Sequence, residues 1–280
     1  MSGGQLILAA TPLGNILDAS RRLIQTLEQA DLIAAEDTRR AKRLFADLNV
    51  DVSAPVISLF EENEIEKIPD LIEKLKNGAK IVVISDAGTP AISDPGFRLV
   101  SAAIDAGISI TVIPGPSAVT AALVLSGLPT NRFSFEGFIA RKGKERTETL
   151  NNLLTQSRTM VLFESPRRTL QTLIDIQEVV GDERKAAVVR EISKTYEEVI
   201  RGTIKELVNW ATDTEVLGEI TLVIQGVENT GKKEVNDEAI QNVKQLVDAG
   251  SSFKDAVQEV STQRGLSRRE LYEASLRLDT

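Results

Sequence analysis

Two residue types are missing altogether. The chain has no cysteine, which excludes disulfides, thiolate zinc sites and cysteine nucleophiles. It has no histidine either, which removes the commonest general base and the commonest metal ligand. A serine–histidine triad is impossible, no metal site is expected, and proton transfer falls to Asp, Glu, Lys, Tyr, water or backbone. Long apolar runs are lacking too. The longest apolar-rich stretch, residues 118–128, is too short to cross a bilayer, and residues 1–5 lack the basic flank of a signal peptide. A cytoplasmic protein with no membrane partner is expected. Positive charge is the minority sign, 33 Lys and Arg against 41 Asp and Glu for a net −8, which argues against indiscriminate nucleic-acid binding. The dinucleotide glycine fingerprint and the Walker lysine pattern are both absent, so phosphate-rich nucleotides are disfavoured.

What is present reads as alternating strands and helices. Short apolar runs at 6–10, 32–35, 56–58, 81–84 and 110–113 predict strands. Helical patterns lie between them, one capped by Asp18, one running from about Thr38 to Leu48, one ending near Gly78, one spanning 96–106. This is an α/β pattern with a largely parallel sheet covered on both faces. After Pro116 the texture changes to a small-residue helix (117–126) and strands at 160–163, 186–190, 197–201 and 219–225, which suggests a second α/β domain with a mixed sheet. The expected organisation is a first domain at 1–115, a second at 116–226, a polar linker at 227–236 and a helical module at 237–280, with helices over 237–249, 252–261 and 267–278.

Three Gly- and Pro-bearing loops each follow a strand of the first domain: TPLGN at 11–15, SDAGTPAISDPG at 85–96 and PGPSA at 114–118. Open α/β sheets bind ligands at the C-terminal ends of their strands. Glycine allows close backbone approach there, and proline fixes φ. A crevice of backbone amides, carbonyls, small side chains and Asp86 suits a ligand with an adenine, a ribose and a positive centre better than a polyanion.

These loops, with AAEDTR at 34–39, FESPRR at 163–168, REISK at 190–194 and GEI at 218–220, occur in an order that resembles the tetrapyrrole-methylase superfamily. Within it they resemble the small-subunit ribosomal RNA methyltransferase I family, over almost the whole chain. The resemblance implies two α/β domains with a cofactor cleft between them, a small C-terminal helical module, and a boomerang-shaped homodimer. It implies S-adenosylmethionine as cofactor. Pro12, Gly14, Ser85, Asp86, Ala87, Gly88, Ile92, Ser117 and Ala118 would line it from the first domain, and Phe163, Gly218, Glu219 and Ile220 from the second. It also implies methylation of a cytidine ribose 2′-hydroxyl in 16S RNA of the small ribosomal subunit. A sulfonium is already an activated methyl donor, so the protein chiefly supplies orientation and charge environment.

The base that would take the hydroxyl proton stays open. Glu36, Asp37 and Asp86 sit on strand-end loops, and Glu61, Glu62 and Glu64 follow the third strand. The candidates are Glu36, Asp37, Glu62 and Lys194. Against them, Asp37 can simply cap the helix at Thr38, and Lys194 can be a solvated pair partner. The family usually carries two histidines in the segment 58–64, where Phe60 and Glu62 stand here, and its SPHR-type motif reads Ser165-Pro166-Arg167-Arg168. Basic clusters are the candidates for RNA phosphates: Arg39, Arg40 and Arg43 on a helix beside a cleft loop, Arg141, Lys142 and Lys144 (with Arg146) on a predicted loop, and Arg167 with Arg168. The segment around Arg264 and 267–272 has a helix-turn-helix look, with an ordinary three-helix cap as the plainer reading. Two rivals stand beside the methyltransferase reading: methylation of a tetrapyrrole carbon, and a ribosome-binding assembly factor that has lost catalysis.

Overall fold

A computed structural model describes residues 3–227, 236–264, 266 and 268–277. The chain divides into two compact units, Met1–Gly226 and Val227–Thr280.

The larger unit carries two sheets. Its first lobe runs β1 (Gln5–Ala9), α1 (Arg21–Glu28), β2 (Leu32–Ala35), α2 (Thr38–Asp47), β3 (Val56–Ser58), α3 (Glu61–Lys76), β4 (Lys80–Ile84), α4 (Phe97–Asp105) and β5 (Ser109–Ile113). The strands form one sheet in the order β3-β2-β4-β1-β5, and every pairing is parallel. Alternate residues of a strand face opposite sides, and here both sides are dry. Leu6, Leu32, Ala34, Ile81 and Val83 pack with Leu71 and Leu75 of α3 and Leu99 of α4. Ile7, Ile33, Ala35, Val82 and Ile84 pack with Leu23 and Leu27 of α1 and Phe45 of α2. Burial on both faces is why these strands read as unbroken apolar runs. Each fully buried leucine contributes roughly 1.5–3 kcal/mol.

The second lobe runs α5 (Ala118–Ser126), β6 (Phe133–Phe138), α6 (Lys144–Asn152), β7 (Thr159–Glu164), α7 (Pro166–Val180), β8 (Lys185–Arg190), β9 (Glu198–Thr203), α8 (Ile204–Asp213) and β10 (Ile220–Ile224). Its sheet has the order β6-β7-β10-β8-β9; only β6 and β7 run parallel, and the rest pair antiparallel. Helix α5 covers one face through Val119, Ala122 and Leu123 on Val161, Val189 and Val223. Residues of α7 and α8 cover the other, on Leu162, Val188 and Leu222.

Two local expectations need correction. Ser20, not Asp18, caps α1: its hydroxyl accepts the Leu23 N–H at 3.0 Å, while Asp18 ends a short 3-10 turn. The stretch after Lys142 is not a loop throughout, because Gly143 (φ 87°) opens α6 and places Lys144 and Arg146 on a helix.

The smaller unit packs α9 (Asp237–Asp248), α10 (Phe253–Arg264) and α11 (Arg268–Arg277) around Ala239, Val243, Val257, Val260 and Leu271. Asn236 caps α9 by accepting the Ala239 N–H at 3.0 Å. Phe253 and Tyr272 meet edge to face at 5.1 Å. Residues 228–235 of the expected linker, and Ser267 and Leu278 of the expected last helix, lie outside the described residues. Among the described residues, no helix is long and apolar enough to cross a membrane.

Candidate active site

Because the first sheet is all parallel, the loops after β1, β2, β4 and β5 all emerge along one edge. They are stitched together by backbone. Thr11 and Gly88 exchange N–H···O bonds of 2.8 and 3.1 Å, the Thr11 hydroxyl donates to the Ser85 carbonyl at 3.3 Å, and the Thr89 hydroxyl donates to the Pro116 carbonyl at 3.2 Å. Gly88 has φ +80°, a conformation that glycine adopts without penalty. Further along the same loop, Ala91 (φ 67°) and Ser93 (φ 62°) hold left-handed backbone without being glycine, at a cost of roughly 1–3 kcal/mol each. The loop ends at Gly96, the N-cap of α4, which has no side chain to cap with. Glu64, buried on α3, does it instead: one carboxylate oxygen accepts the Gly96 N–H at 3.2 Å and the Leu99 N–H at 2.9 Å.

These loops face the second lobe across a cavity of about 350 Å³. On the first-lobe side it is lined by Leu13, Glu36, Arg40, Asp86, Ala87, Ser93 and Asp94, and on the other by Ala118, Phe138, residues 163–166 and residues 218–221. Phe138 and Phe135 both pack edge-on against Phe163, at 5.5 and 4.8 Å. Glu164 is buried but fully engaged: it accepts the Ser165 N–H and the Thr172 hydroxyl, each at 2.7 Å, and pairs with Arg168 at 3.2 Å. The lobes also touch directly. Ser193 Oγ accepts the Asn15 N–H at 3.0 Å and donates to Asp18 at 2.9 Å. Lys194 lies over Gly14, where a Cβ would sit 2.1 Å from its Cγ, and its ammonium reaches Glu191 at 2.9 Å and Glu219 at 3.2 Å.

The electrostatics of the cavity are lopsided. Asp86 pairs with Arg40 at 2.8 Å and accepts the Asp37 N–H at 3.1 Å. Glu36 accepts the Asp86 N–H at 3.2 Å, and its carboxyl is pushed above the usual range by burial, with the Asp86 charge adding to it. Asp94 is pushed up to about 7, first by burial and then by the charges of Glu36, Asp86 and Glu219, against a lowering contribution from the Ser85 hydroxyl. The excess of negative charge opposes a polyanion and favours a ligand carrying a positive centre. Among the described residues, no group of three or more carboxylates is placed to hold a metal ion.

Residues 5–208 match the tetrapyrrole (corrin/porphyrin) methylase family. The chain is 49% identical over 277 residues to the ribosomal RNA small subunit methyltransferase I of Mycobacterium tuberculosis, covering 99% of this chain and 96% of that one. The chain belongs to the ribosomal RNA small subunit methyltransferase I family. The proteins of the same name from Halalkalibacterium halodurans and Bacillus subtilis are 41% and 38% identical, over 96% and 97% of this chain and 93% and 94% of theirs. The fold is also that of a cobalt precorrin-4 methyltransferase (TM-score 0.59, 19% identity, 79% of this chain and 94% of that one). A uroporphyrin-III C-methyltransferase from Thermus thermophilus gives a TM-score of 0.57 at 18% identity, over 81% of this chain and 96% of that one.

In this family member, the expected cofactor residues divide into two sets. Asp86, Ala87, Ala118, Phe163, Gly218, Glu219 and Ile220 line the cavity. Pro12, Gly14, Ser85, Gly88, Ile92 and Ser117 do not. Gly14 lies under Lys194, the Ser85 hydroxyl turns to the Ala87 and Gly88 carbonyls, Gly88 is bridged to Thr11, and Ile92 is exposed.

The base candidates also part company. Glu36 lines the cavity, whereas Asp37 caps α2, accepting the Arg39 N–H at 2.8 Å and pairing with its guanidinium at 2.7 Å. The side-chain and backbone bonds from Arg39 hold the Asp37 carboxyl far below its ordinary range. Glu62 is exposed on the first turn of α3 and outside the cavity lining, and Glu64 is spent on capping α4. Burial works against the charge of Lys194, but Glu191 and Glu219 outweigh it and hold the ammonium above its usual range. It is a poor proton acceptor.

Among the basic candidates, Arg40 turns into the cavity toward Asp86, and Arg168 is tied to Glu164 and to the Ile139 carbonyl at 2.6 Å. Arg146 is half-buried in a cluster with Asp175, Thr172 and the Ala140 carbonyl, so it leaves the expected docking cluster. Arg39, Arg43, Arg141, Lys142, Lys144 and Arg167 are exposed. Besides Glu164, which is fully engaged, the cavity carboxylate absent from the sequence candidates is Asp94. It stands in the same twelve-residue motif as Asp86, and a second carboxylate at the return of a strand-end loop was the available signal.

Proposed function

We propose that this protein transfers a methyl group from S-adenosylmethionine to the 2′-hydroxyl of a cytidine in the 16S RNA of the small ribosomal subunit. The observation that carries this reading is the extent of the likeness. It runs over nearly the whole chain at 38–49% identity to proteins named for small-subunit ribosomal RNA, against 18–19% for the structures named for tetrapyrrole substrates.

The cavity residues fit the donor. A pocket of about 350 Å³ with small residues, two phenylalanines and a carboxylate excess matches an aromatic base, a ribose and a cation. Asp86, Ala87, Ala118, Phe163 and the backbone of 218–220 would hold it, Asp86 fixed in place by Arg40 and by the Asp37 N–H. When bound, the sulfonium supplies a methyl group already activated for transfer to a nucleophile. The chain's own residues then orient the nucleophile, exclude water and provide the charge environment. Arg39, Arg43, Arg141, Lys142, Lys144 and Arg167 would meet phosphates around an extruded nucleotide. A protein with net charge −8 fits a preassembled subunit better than naked RNA.

The reading extends to a cytoplasmic homodimer. Phe97 and Ile104 on α4 and Val112 on the edge strand β5 are exposed apolar residues on neighbouring elements, suited to burial against a second copy.

The test is transfer of labelled methyl from S-adenosylmethionine to small subunits lacking ribose methylation, with naked RNA alongside. The expected result is label on one cytidine ribose, in subunits only. Cofactor binding without label on competent subunits would move the reading to a silent assembly factor. Label on a tetrapyrrole would move it to carbon methylation.

A further inference from the structure

We propose that Asp94 is the general base of the methyl transfer, the group that accepts the proton of the attacking hydroxyl. This rests on the reading given above and deepens it. Five carboxylates line the cavity, and four are otherwise engaged. Asp86 is neutralised by Arg40, Glu219 by Lys194 and Glu164 by Arg168, while Glu36 is fixed to the Asp86 N–H. Asp94 alone among them has no cation partner and no backbone N–H within the described residues, and the group that meets it is the neutral Ser85 hydroxyl.

The loop supports the assignment. Asp94 follows Ser93, held at φ 62°, and precedes Pro95, whose carbonyl accepts the Ala91 N–H at 3.3 Å to close a tight return. The C-terminal end of that return is clamped by Glu64 on the N–H groups of Gly96 and Leu99. Strained backbone fixed at both ends is how a side chain is held at one position against a cavity. The charged groups facing Asp94 are Glu36 after β2, Asp86 after β4, Glu219 before β10, and Arg40 of α2, itself bound to Asp86. Burial first, and then the three carboxylates, make Asp94 more basic than an ordinary aspartate, into the range where a base serves at neutral pH.

The step balances. The O–H bond of the ribose hydroxyl breaks and its proton passes to an Asp94 carboxylate oxygen. The oxygen's electron pair forms the new O–CH₃ bond, and the pair of the broken S–CH₃ bond stays on the donor's sulfur. The proton later leaves Asp94 to solvent.

The experiment compares wild type with Asp94→Asn in three measurements: single-turnover methyl transfer to subunits from pH 6 to 9, cofactor affinity by calorimetry, and thermal unfolding without cofactor over pH 4 to 8. Transfer by Asp94→Asn is expected to fall by about 100-fold or more, with cofactor affinity within about threefold. In wild type, kcat/KM should fall on the acid side with a midpoint near 7, and this limb should vanish in the variant. The unfolding comparison has a definite sign. An acid whose folded pKa is raised costs the fold stability above that pKa, and the cost disappears as pH falls toward the unfolded value of about 3.9. Asp94→Asn should therefore melt several degrees higher than wild type at pH 8, with the gap closing between pH 7 and pH 4.

Transfer within threefold of wild type would overturn the proposal. So would a parallel loss of cofactor affinity, which would make Asp94 a cofactor contact, or a melting gap that ignores pH. If the variant does not fold, a wild-type rate profile with no acid limb near neutrality overturns it equally. Wild type silent on competent subunits would overturn the methyltransferase reading itself, a result distinguishable from all of these.

Discussion

In the first lobe all five strands point the same way, and in the second β6 and β7 are the one parallel pair in a sheet whose other neighbours run antiparallel. The consequence reaches the chemistry. A parallel sheet delivers the C-terminal end of every strand to one edge, so Glu36 after β2 and Asp86 and Asp94 after β4 converge on one cavity from different stretches of chain. The mixed sheet sends alternate strand ends in opposite directions. It gives the cavity a wall built around Phe138, Phe163 and the approach to β10. Its charged groups are mostly spent on structure: Glu164 with Arg168, and Arg146 with Asp175. Ionisable chemistry thus sits on the parallel lobe, and the mixed lobe supplies shape.

The largest effect expected from this division is on ligand binding. Asp86→Ala removes the acceptor of the Asp37 N–H and leaves Arg40 as an uncompensated cation in the cavity. Cofactor affinity should fall by about 100-fold, roughly 2.7 kcal/mol, measured by calorimetry, with little change in unfolding midpoint because Arg40 is largely exposed. An affinity within threefold of wild type would mean that the parallel lobe's charge is not what recognises the ligand.

The second lobe should show the converse. The Arg146 side chain is only 12% exposed and donates to Asp175 at 3.0 Å, to Ala140 at 3.1 Å and to Thr172 at 3.3 Å. Arg146→Ala leaves Asp175 without its guanidinium and should cost about 2–3 kcal/mol in urea unfolding. Arg141→Glu, a few residues away on the surface, should leave stability within about 0.5 kcal/mol while weakening binding to subunits in a salt-dependent way. Equal stability losses would erase the distinction between the half-buried and exposed members of that basic run.

How much of this was legible in the sequence follows from the same contrast. The inner strands β1, β2 and β4 were visible as four- and five-residue apolar runs because both faces are buried, and the loops after β1, β4 and β5 were visible because their Gly and Pro follow the apolar runs directly. Asp37 as the cap of α2 was also readable, since Asp before a helical pattern is a local signal. Three things were not readable. The Arg141–Arg146 run looks uniformly basic, and only the fold of α6 against α7 reveals that Arg146 is inside. Arg40 resembles its neighbours Arg39 and Arg43 until α2 is placed beside the β4 loop. Asp94 looks equivalent to Asp86 in a motif, and what separates them is which one receives a guanidinium from another element. Partners distant in sequence decide the role of a charge, and local pattern does not encode them.

Glu64 is the exception that sharpens the comparison, a parallel-lobe carboxylate next to the site whose role is structural. Its sequence neighbours Glu61 and Glu62 are exposed, and it alone is buried, 3% exposed, on the N–H groups of Gly96 and Leu99. Because Gly96 cannot cap α4, an acceptor from α3 is required, and a charged one also meets the positive end of the helix dipole. Glu64→Gln keeps an amide oxygen where the one carboxylate oxygen accepts both bonds but loses the charge, so the expected cost is about 1 kcal/mol in urea unfolding. Cofactor affinity should change by no more than about threefold. The transfer rate should drop modestly, because Asp94 sits on the segment that Glu64 clamps. A full loss of transfer with stability intact would place Glu64 among the reacting groups, and the division between chemical and structural charges in the first lobe would have to be redrawn.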